Sequence, residues 1–515
     1  MATTVPAGGQ LSVAVTDQLP ISGWDPLIAP DSTVRTLGPL VMATLLRPAN
    51  DGAAPEPGLA ESVTSDATAT TWTLTLRTGL NFADGTALTA TDMAFALTQA
   101  AKEPQLTGRF GADAKGSFFV SALASDPQTL VVKLRAPNAT LDRSVFAAPE
   151  FGCVKASYGG LKRAAYYETP VSCGPYSASS LPRGSDQLVL TRNTSYYAPN
   201  AVGADRIVVT ALPSADKATA FIADGGDVVL DPRTTGAAVA STPASAPTAE
   251  ATTVAATSGS STVGGTARVV ESSAPGRVSV MVFRARPPTR DLNLRIAVQA
   301  SLDVAALAKA QTGATAPVAG LVPPLWPGAQ TRGVPAVDPT LAATATSLLA
   351  SNARSLRLLV RAGNPEAVDQ AAVIVSQLKL VGIKVRVDAV STARYSSALA
   401  SGSFQAALVT VAPRVALASD VTRQWAVSGG LGGGWSVDAT TALYPTQISL
   451  PAFGATAQKA VSGFSAAVLD PVQALPLSAR PQRLLAASAG LNGLAIRWDG
   501  SVPLERVAVG ASFTP

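Results

Sequence analysis

Residues 56–100, EPGLAESVTSDATATTWTLTLRTGLNFADGTALTATDMAFALTQA, carry three structural instructions in series. Trp72, Leu74 and Leu76 alternate with Thr71, Thr73, Thr75 and Arg77, the period of a strand with one buried face. Asp84-Gly85 then marks a turn, since glycine tolerates the backbone angles of a tight reversal. Thr89 and Asp92 stand at the spacing of a helix start, and Met93, Leu97 and Ala100 follow on one helical face. The residues alone therefore give strand, turn and capped helix.

A chain of 515 residues exceeds what one core normally organises, so two or three lobes are expected. Hydrophobic residues make up 47%, enough to fill such cores, yet no apolar run reaches the ~18 residues of a membrane span. The net charge of +5 is small and the 39 basic residues are scattered, so no nucleic-acid partner is expected. Histidine is absent. That removes a Ser-His-Asp triad and a His-built zinc site, and two cysteines cannot make a four-thiolate site. Neither a cofactor nor a metal is expected.

The wording of residues 56–100 resembles the signature of the family 5 solute-binding proteins of ABC importers, which include oligopeptide and dipeptide receptors. That signature joins a "PGLAES" turn, a "W-x-L-x-LR-x-GL-x-F" strand and a "DG-x-x-LTA-x-D" helix start, all present here in order. Further likenesses are Gly8 to Val13 (GGQLSV), Cys173-Gly174-Pro175-Tyr176 for a "GTGPY" turn, and Asp291 to Asp303 for a "D-x-x-VRQA" helix. Tyr395 to Leu408 resembles another family element, although Gln405 stands where aspartate is usual. The likeness runs from about residue 9 to about 408.

The resemblance implies an α/β, two-lobed periplasmic-binding-protein-like fold of type II, with an extra subdomain inserted in the first lobe. On that reading residues 1–44, 166–272 and 476–515 form lobe I, 45–165 the inserted subdomain and 273–475 lobe II. It further implies a monomeric extracellular receptor, from an actinobacterial source. Such a receptor passes a small-molecule or peptide ligand to ABC permease and ATPase subunits. The N-terminus lacks a basic n-region and an apolar h-region, and the family usually begins at a lipid-anchored cysteine. A lipid anchor in the membrane, trimmed from this sequence, is expected. Cys153 and Cys173, 20 apart in an exported chain, are expected to form one disulfide worth roughly 3 kcal/mol.

Candidate ligand contacts follow from the same resemblance. Ile28, Ala29, Pro30 and Asp31 belong to the loop after Trp24-Asp25-Pro26 that lines the family's cleft, or to an ordinary strand-to-helix connection. Met281 and Phe283 lie in the first strand of lobe II, Leu325 and Trp326 in GLVPPLWPG, and Trp435 in GGLGGGW. The tryptophans serve equally as core. Peptide receptors of the family place Trp and then Asp after the next strand, the Asp pairing with the ligand's amine. Here Val411 falls at the Trp position and Arg414 at the Asp position. Either Asp420 substitutes, or the ligand carries no free amine, or Arg414 simply reaches solvent.

Local structure elsewhere is read as a helix over Thr36 to Arg47 and a strand from Arg277 to Phe283; the composition of Thr234 to Ala274 suits a flexible linker, while the resemblance implies partial order there, a helix and a strand near the hinge. Leu356 to Arg361, Pro365 to Val381 and Lys384 to Val390 make a βαβ unit, and strands near Ala495–Trp498 and Arg506–Val509 return to lobe I. Two functional readings remain: a receptor that closes on its solute, or a non-transport member acting in envelope assembly or signalling. A hydrolase is disfavoured, because no histidine or Ser-Lys motif is present.

Overall fold

The signature strand Thr71–Leu76 lies between two antiparallel neighbours. The computed structural model describes residues 8–15, 24–25, 32–49, 54–103, 106, 108–113, 115–179, 186–213, 217–230, 260–263, 267–309, 311, 316–324, 326, 329, 333–362, 364–411, 417–426, 431, 435, 437–452, 454–497 and 500–510. The elements used below are numbered along the chain.

The first half begins with β1 (Gln10–Val15) and helix α1 (Ser32–Val41). The inserted subdomain follows, with β2 (Ala60–Ser65), β3 (Thr71–Leu76), helix α2 (Ala90–Ala100), β4 (Phe119–Ala124) and β5 (Thr129–Leu134). These strands form an antiparallel sheet in the order β2-β3-β5-β4. Leu74 and Leu130 are fully buried on the face covered by α2, where the Thr/apolar alternation placed them. Gly85 has φ +81°, as the Asp-Gly turn requires, and the Asp92 carboxylate accepts from Thr89 N at 2.8 Å to close the cap.

The helix expected over Thr36 to Arg47 stops at Val41 because the next carbonyls have distant partners. Val41 O accepts from Cys173 N and Gly174 N, Ala43 O from Cys153 N, and Leu45 O from Gly58 N and Ala60 N. Close approach explains Gly174: a Cβ there would lie 2.4 Å from Leu40 O. The Cys153–Cys173 disulfide forms beside this junction.

The chain then returns to the first half as β6 (Tyr176–Ala178), β7 (Gln187–Arg192), β8 (Arg206–Ala211) and β9 (Val228–Leu230). A long strand, β10 (Ala267–Phe283), leads out of it. The second half has helices α3 (Leu292–Ser301) and α4 (Pro339–Ser347), strand β11 (Ser355–Arg361), helix α5 (Pro365–Leu380), and strands β12 (Lys384–Val390) and β13 (Ala406–Val411). Helices α6 (Ala418–Ala426), α7 (Val437–Ile448) and α8 (Ala455–Leu469) pack on one another, and β14 (Ala474–Ala487) runs back.

One sheet threads both halves in the order β6-β7-β8-β1-β9-β14-β10-β13-β11-β12. β10 and β14 are its antiparallel centre, with register shifts around Pro275 opposite Pro481. Proline has no N–H to give a ladder, so such residues sit at irregularities. This pairing explains why β10 starts ten residues before the expected Arg277; residues 234–259 and 264–266 of the composition-biased stretch lie outside the described ones. The βαβ unit forms as read, with β11 and β12 parallel from Ser355 opposite Lys384 to Arg361 opposite Val390. At the end of the chain, Leu491–Asn492 pairs with Ala508–Val509. Ala495–Arg497 makes no ladder, and Arg497 N instead closes a turn on Ser501 O.

Two layers cover the second half's sheet. Met281, Phe283, Leu358 and Leu408 face α3 and α5 in one core. Val278, Val280, Val409 and Val411 face α6–α8 in another, and that core continues into the subdomain through Tyr444, Ile448, Phe110 and Phe118.

Candidate binding site between the two halves

Of the candidate residues, Asp420 stands where the subdomain of the first half faces the α6–α8 layer of the second, and the other described ones lie in the cores behind that junction. On the first-half side, Trp24 is fully buried and its N–H donates to Tyr167 O at 2.7 Å. The next residue, Asp25, receives both Nε (2.7 Å) and a terminal nitrogen (3.1 Å) of Arg163, which also pairs with Glu103. Burial pulls the Arg163 guanidinium down, but these two carboxylates hold it well above its ordinary value. Tyr158, Tyr166, Tyr167 and Phe95 pack edge to face behind it, and burial pushes the Tyr166 phenol up to about 12. Ile28, Ala29, Pro30 and Asp31 lie outside the described residues.

On the second-half side, the candidates divide between core and interface. Met281 and Phe283 are fully buried on the sheet face away from α6–α8. Trp435 adjoins the same core, where its Nε1 donates to Phe283 O at 2.7 Å and the Arg295 guanidinium lies 4.3 Å from its ring centroid. Trp326 is buried in the larger core, and its turn is tied to α8 by Gln458 Nε2 donating to Ala329 O. Val411 is buried opposite Val278 in the ladder. Leu325 and Arg414 lie outside the described residues.

Asp420, in the first turn of α6, is the candidate whose surroundings are chemically richest. Its Oδ1 accepts from Arg109 at 3.0 Å and from Arg423 Nε at 3.0 Å. Arg109, a subdomain residue, also donates to Glu150 at 3.2 Å, and the Arg109, Glu150 and Asp420 side chains are at most 2% exposed. Two guanidiniums and two carboxylates thus balance inside a water-poor junction. For Arg423, burial lowers the guanidinium, while the Asp420 charge, Tyr444 and the Asp420 hydrogen bond raise it to a net upward shift. Burial likewise drives the Tyr444 phenol up. Around this cluster Tyr444 OH donates to Gly108 O at 2.9 Å, and Ala139 N donates to Ile448 O at 2.8 Å. A small cavity of about 20 Å³ adjoins it, between Thr140 and the Ser419, Gln447 and Val461 side of the helical layer.

Sequence reasoning singled out Asp420 but missed Arg109, Glu150 and Tyr444. Arg109 lies 311 residues from its partner and belongs to no periodic or motif pattern, so nothing local marks it. Among the described residues no group of three or more His, Cys, Asp or Glu is placed to hold a metal ion, and no helix is long and apolar enough to cross a membrane.

Two α/β halves sharing one sheet through a central strand pair, with a subdomain of one facing a helical layer of the other, define a two-lobed type II periplasmic-binding-protein fold. The profile of the bacterial extracellular solute-binding proteins, family 5 Middle, matches residues 54–432, and the chain belongs to that family. No curated protein matches the sequence significantly. Among solved structures it is similar to AgaA of A. tumefaciens in complex with agropinic acid (TM-score 0.80, 18% identity, 98% of this chain and 99% of that one). It is also similar to a dipeptide-binding protein of Pseudoalteromonas in complex with Met-Leu (0.81, 14%, 97% and 100%). A third is NikA from Brucella suis in complex with Fe(III)-EDTA (0.76, 17%, 97% and 100%). The family is one of extracellular binding proteins, not enzymes.

Proposed function

We propose that this chain is a solute receptor of an ABC importer, held at the cell surface by a lipid anchor. It takes a peptide or peptide-like compound between its lobes and presents it to the permease and ATPase by closing about β10 and β14. The proposed lobes are residues 1–44, 166–272 and 476–515 against 273–475, with 45–165 inserted in the first. The observation that carries this reading is the contact of the subdomain with α6–α8 across the lobe boundary, reached through the Arg109–Asp420 pair. Closure selects a ligand because the closed form binds it better than the open one.

The same pair narrows the ligand. With two guanidiniums on its carboxylate, Asp420 is a poor anchor for an ammonium group, so a compound without a free amine suits this cleft better. A thermal-shift screen of di- to oligopeptides in free and N-acetylated form, with sugars and siderophore-like compounds, tests this. The expected result is stabilisation by a solute whose amine is blocked or absent. A strict requirement for the free amine would overturn the ligand assignment, and stabilisation by none would overturn the receptor.

A second reading, a non-transport envelope lipoprotein of the same fold, is favoured by the balanced charge cluster, which joins the halves through the protein's own side chains. Small-angle scattering of the solute-free protein separates the two. A receptor expands when free of solute and contracts on binding, whereas the second reading expects one compact form throughout.

A further inference from the structure

Gln405, the residue that stands where the family resemblance expects aspartate, lies at the end of β10 farthest from the first half. Its Oε1 accepts from Arg357 N at 2.8 Å and its Nε2 donates to Pro287 O at 3.3 Å. The amide supplies an acceptor as a carboxylate would, but brings no negative charge. Beside it is an open groove of about 220 Å³ lined by Arg286, Arg357, Asp388, Ser403 and Phe404.

The charges around this groove do not balance. Asp388 is shared by Arg357 (2.7 Å) and Arg386 (3.3 Å). The Arg284 guanidinium lies 5.4 Å from the Phe404 ring centroid, and neither Arg284 nor Arg286 has an acidic partner among the described residues. Four guanidiniums therefore stand against one carboxylate. Burial, and then the neighbouring Arg286 charge, lower the Arg284 guanidinium from its ordinary value.

We propose that this groove is a second binding site, separate from the cleft between the lobes, that takes a small oxyanion: a phosphate or carboxylate group. Arg286 brings a planar donor fork that matches such oxygens, Arg357, whose Nε and one terminal nitrogen are held by Asp388, adds its other terminal nitrogen, and the Ser403 hydroxyl adds a donor from the same lining. Arg284, stacked on Phe404, adds positive potential from behind. The groove is smaller than the roughly 300–1,000 Å³ of drug-sized pockets, so it suits the anionic group with a few further atoms.

Isothermal titration of the full chain at low ionic strength with inorganic phosphate, pyrophosphate and citrate tests the site. Sedimentation with phosphatidylcholine vesicles, with and without phosphatidylglycerol, tests whether the anion belongs to a lipid. Saturable binding of a soluble anion is expected, weakened about tenfold or more by Arg286→Gln and by Gln405→Glu, and by added salt. Gln405→Glu is nearly isosteric and keeps the acceptor for Arg357 N, giving up only the donation to Pro287 O, so it reads charge. Binding to anionic vesicles alone, lost in the same variants, supports the site and assigns the anion to a lipid headgroup. No binding in either arm, or binding unchanged in both variants, overturns the proposal. Solute stabilisation at the cleft is a separate readout, so the receptor reading stands or falls independently.

Discussion

Asp92 and Asp420 are both buried carboxylates in the first turn of a helix, and they were unequally legible. Asp92 closes its own helix start with Thr89, three residues away, and its second oxygen accepts from Ala156 N at 2.8 Å. Asp420 holds Arg423 on its own helix, but its other partner, Arg109, comes from the opposite side of the lobe boundary. A carboxylate whose work is local can be read from spacing. One that joins distant segments cannot, because the sequence fixes no distance between them.

Three experiments break or sharpen that contrast. The largest effect is expected from Leu74→Ala, which empties a fully buried position of the subdomain sheet: about 2–5 kcal/mol lost in denaturant unfolding. If the subdomain depends on its own residues, the loss should persist unchanged in an Asp420→Asn background. Strong coupling between the two substitutions would show that the regions are one unit. Next, replacing Cys153 and Cys173 together by serine should cost roughly 3 kcal/mol, read from the midpoint shift between oxidised wild type and variant. The smallest is Asp92→Ala, about 1–2 kcal/mol for a lost cap and an orphaned Ala156 N–H. Solute binding should be unchanged in this variant, whereas a change in affinity would mean the subdomain's local order reaches the cleft.

Much of the architecture followed from pattern. The Thr/apolar alternation gave β3, Asp84-Gly85 its turn, and the spacing of Val368, Ala371, Val375 and Leu378 the helix of the βαβ unit. Misreadings arose where tertiary backbone partners outvoted local preference. Residues 42–47 carry enough apolar character for a helix, but the carbonyls of Val41, Ala43, Thr44 and Leu45 are claimed by backbone from three other places. Residues 267–271 belong to a stretch whose Ala, Thr, Ser, Gly and Pro content shows little periodicity, yet a neighbouring strand holds them in a ladder. At the site, Asp420 was visible only as a nearby carboxylate able to substitute for the family's aspartate, whose position Arg414 takes, while Arg109 and Glu150 carried no signal. The Gln405 departure was visible in the sequence, but its meaning required knowing that Arg284, Arg286 and Arg357 surround it.

The paired irregularity at Pro275 and Pro481 has a mechanical consequence. A ribbon missing rungs near its midpoint, with a further shift between Ser279 and Val280, twists there at little enthalpic expense, while the rungs beyond keep each end stiff. Relative movement of the ends thus becomes torsion along a single axis, and replacing one of those imino acids by a residue able to complete the rung should stiffen that axis without touching any wall of the cleft.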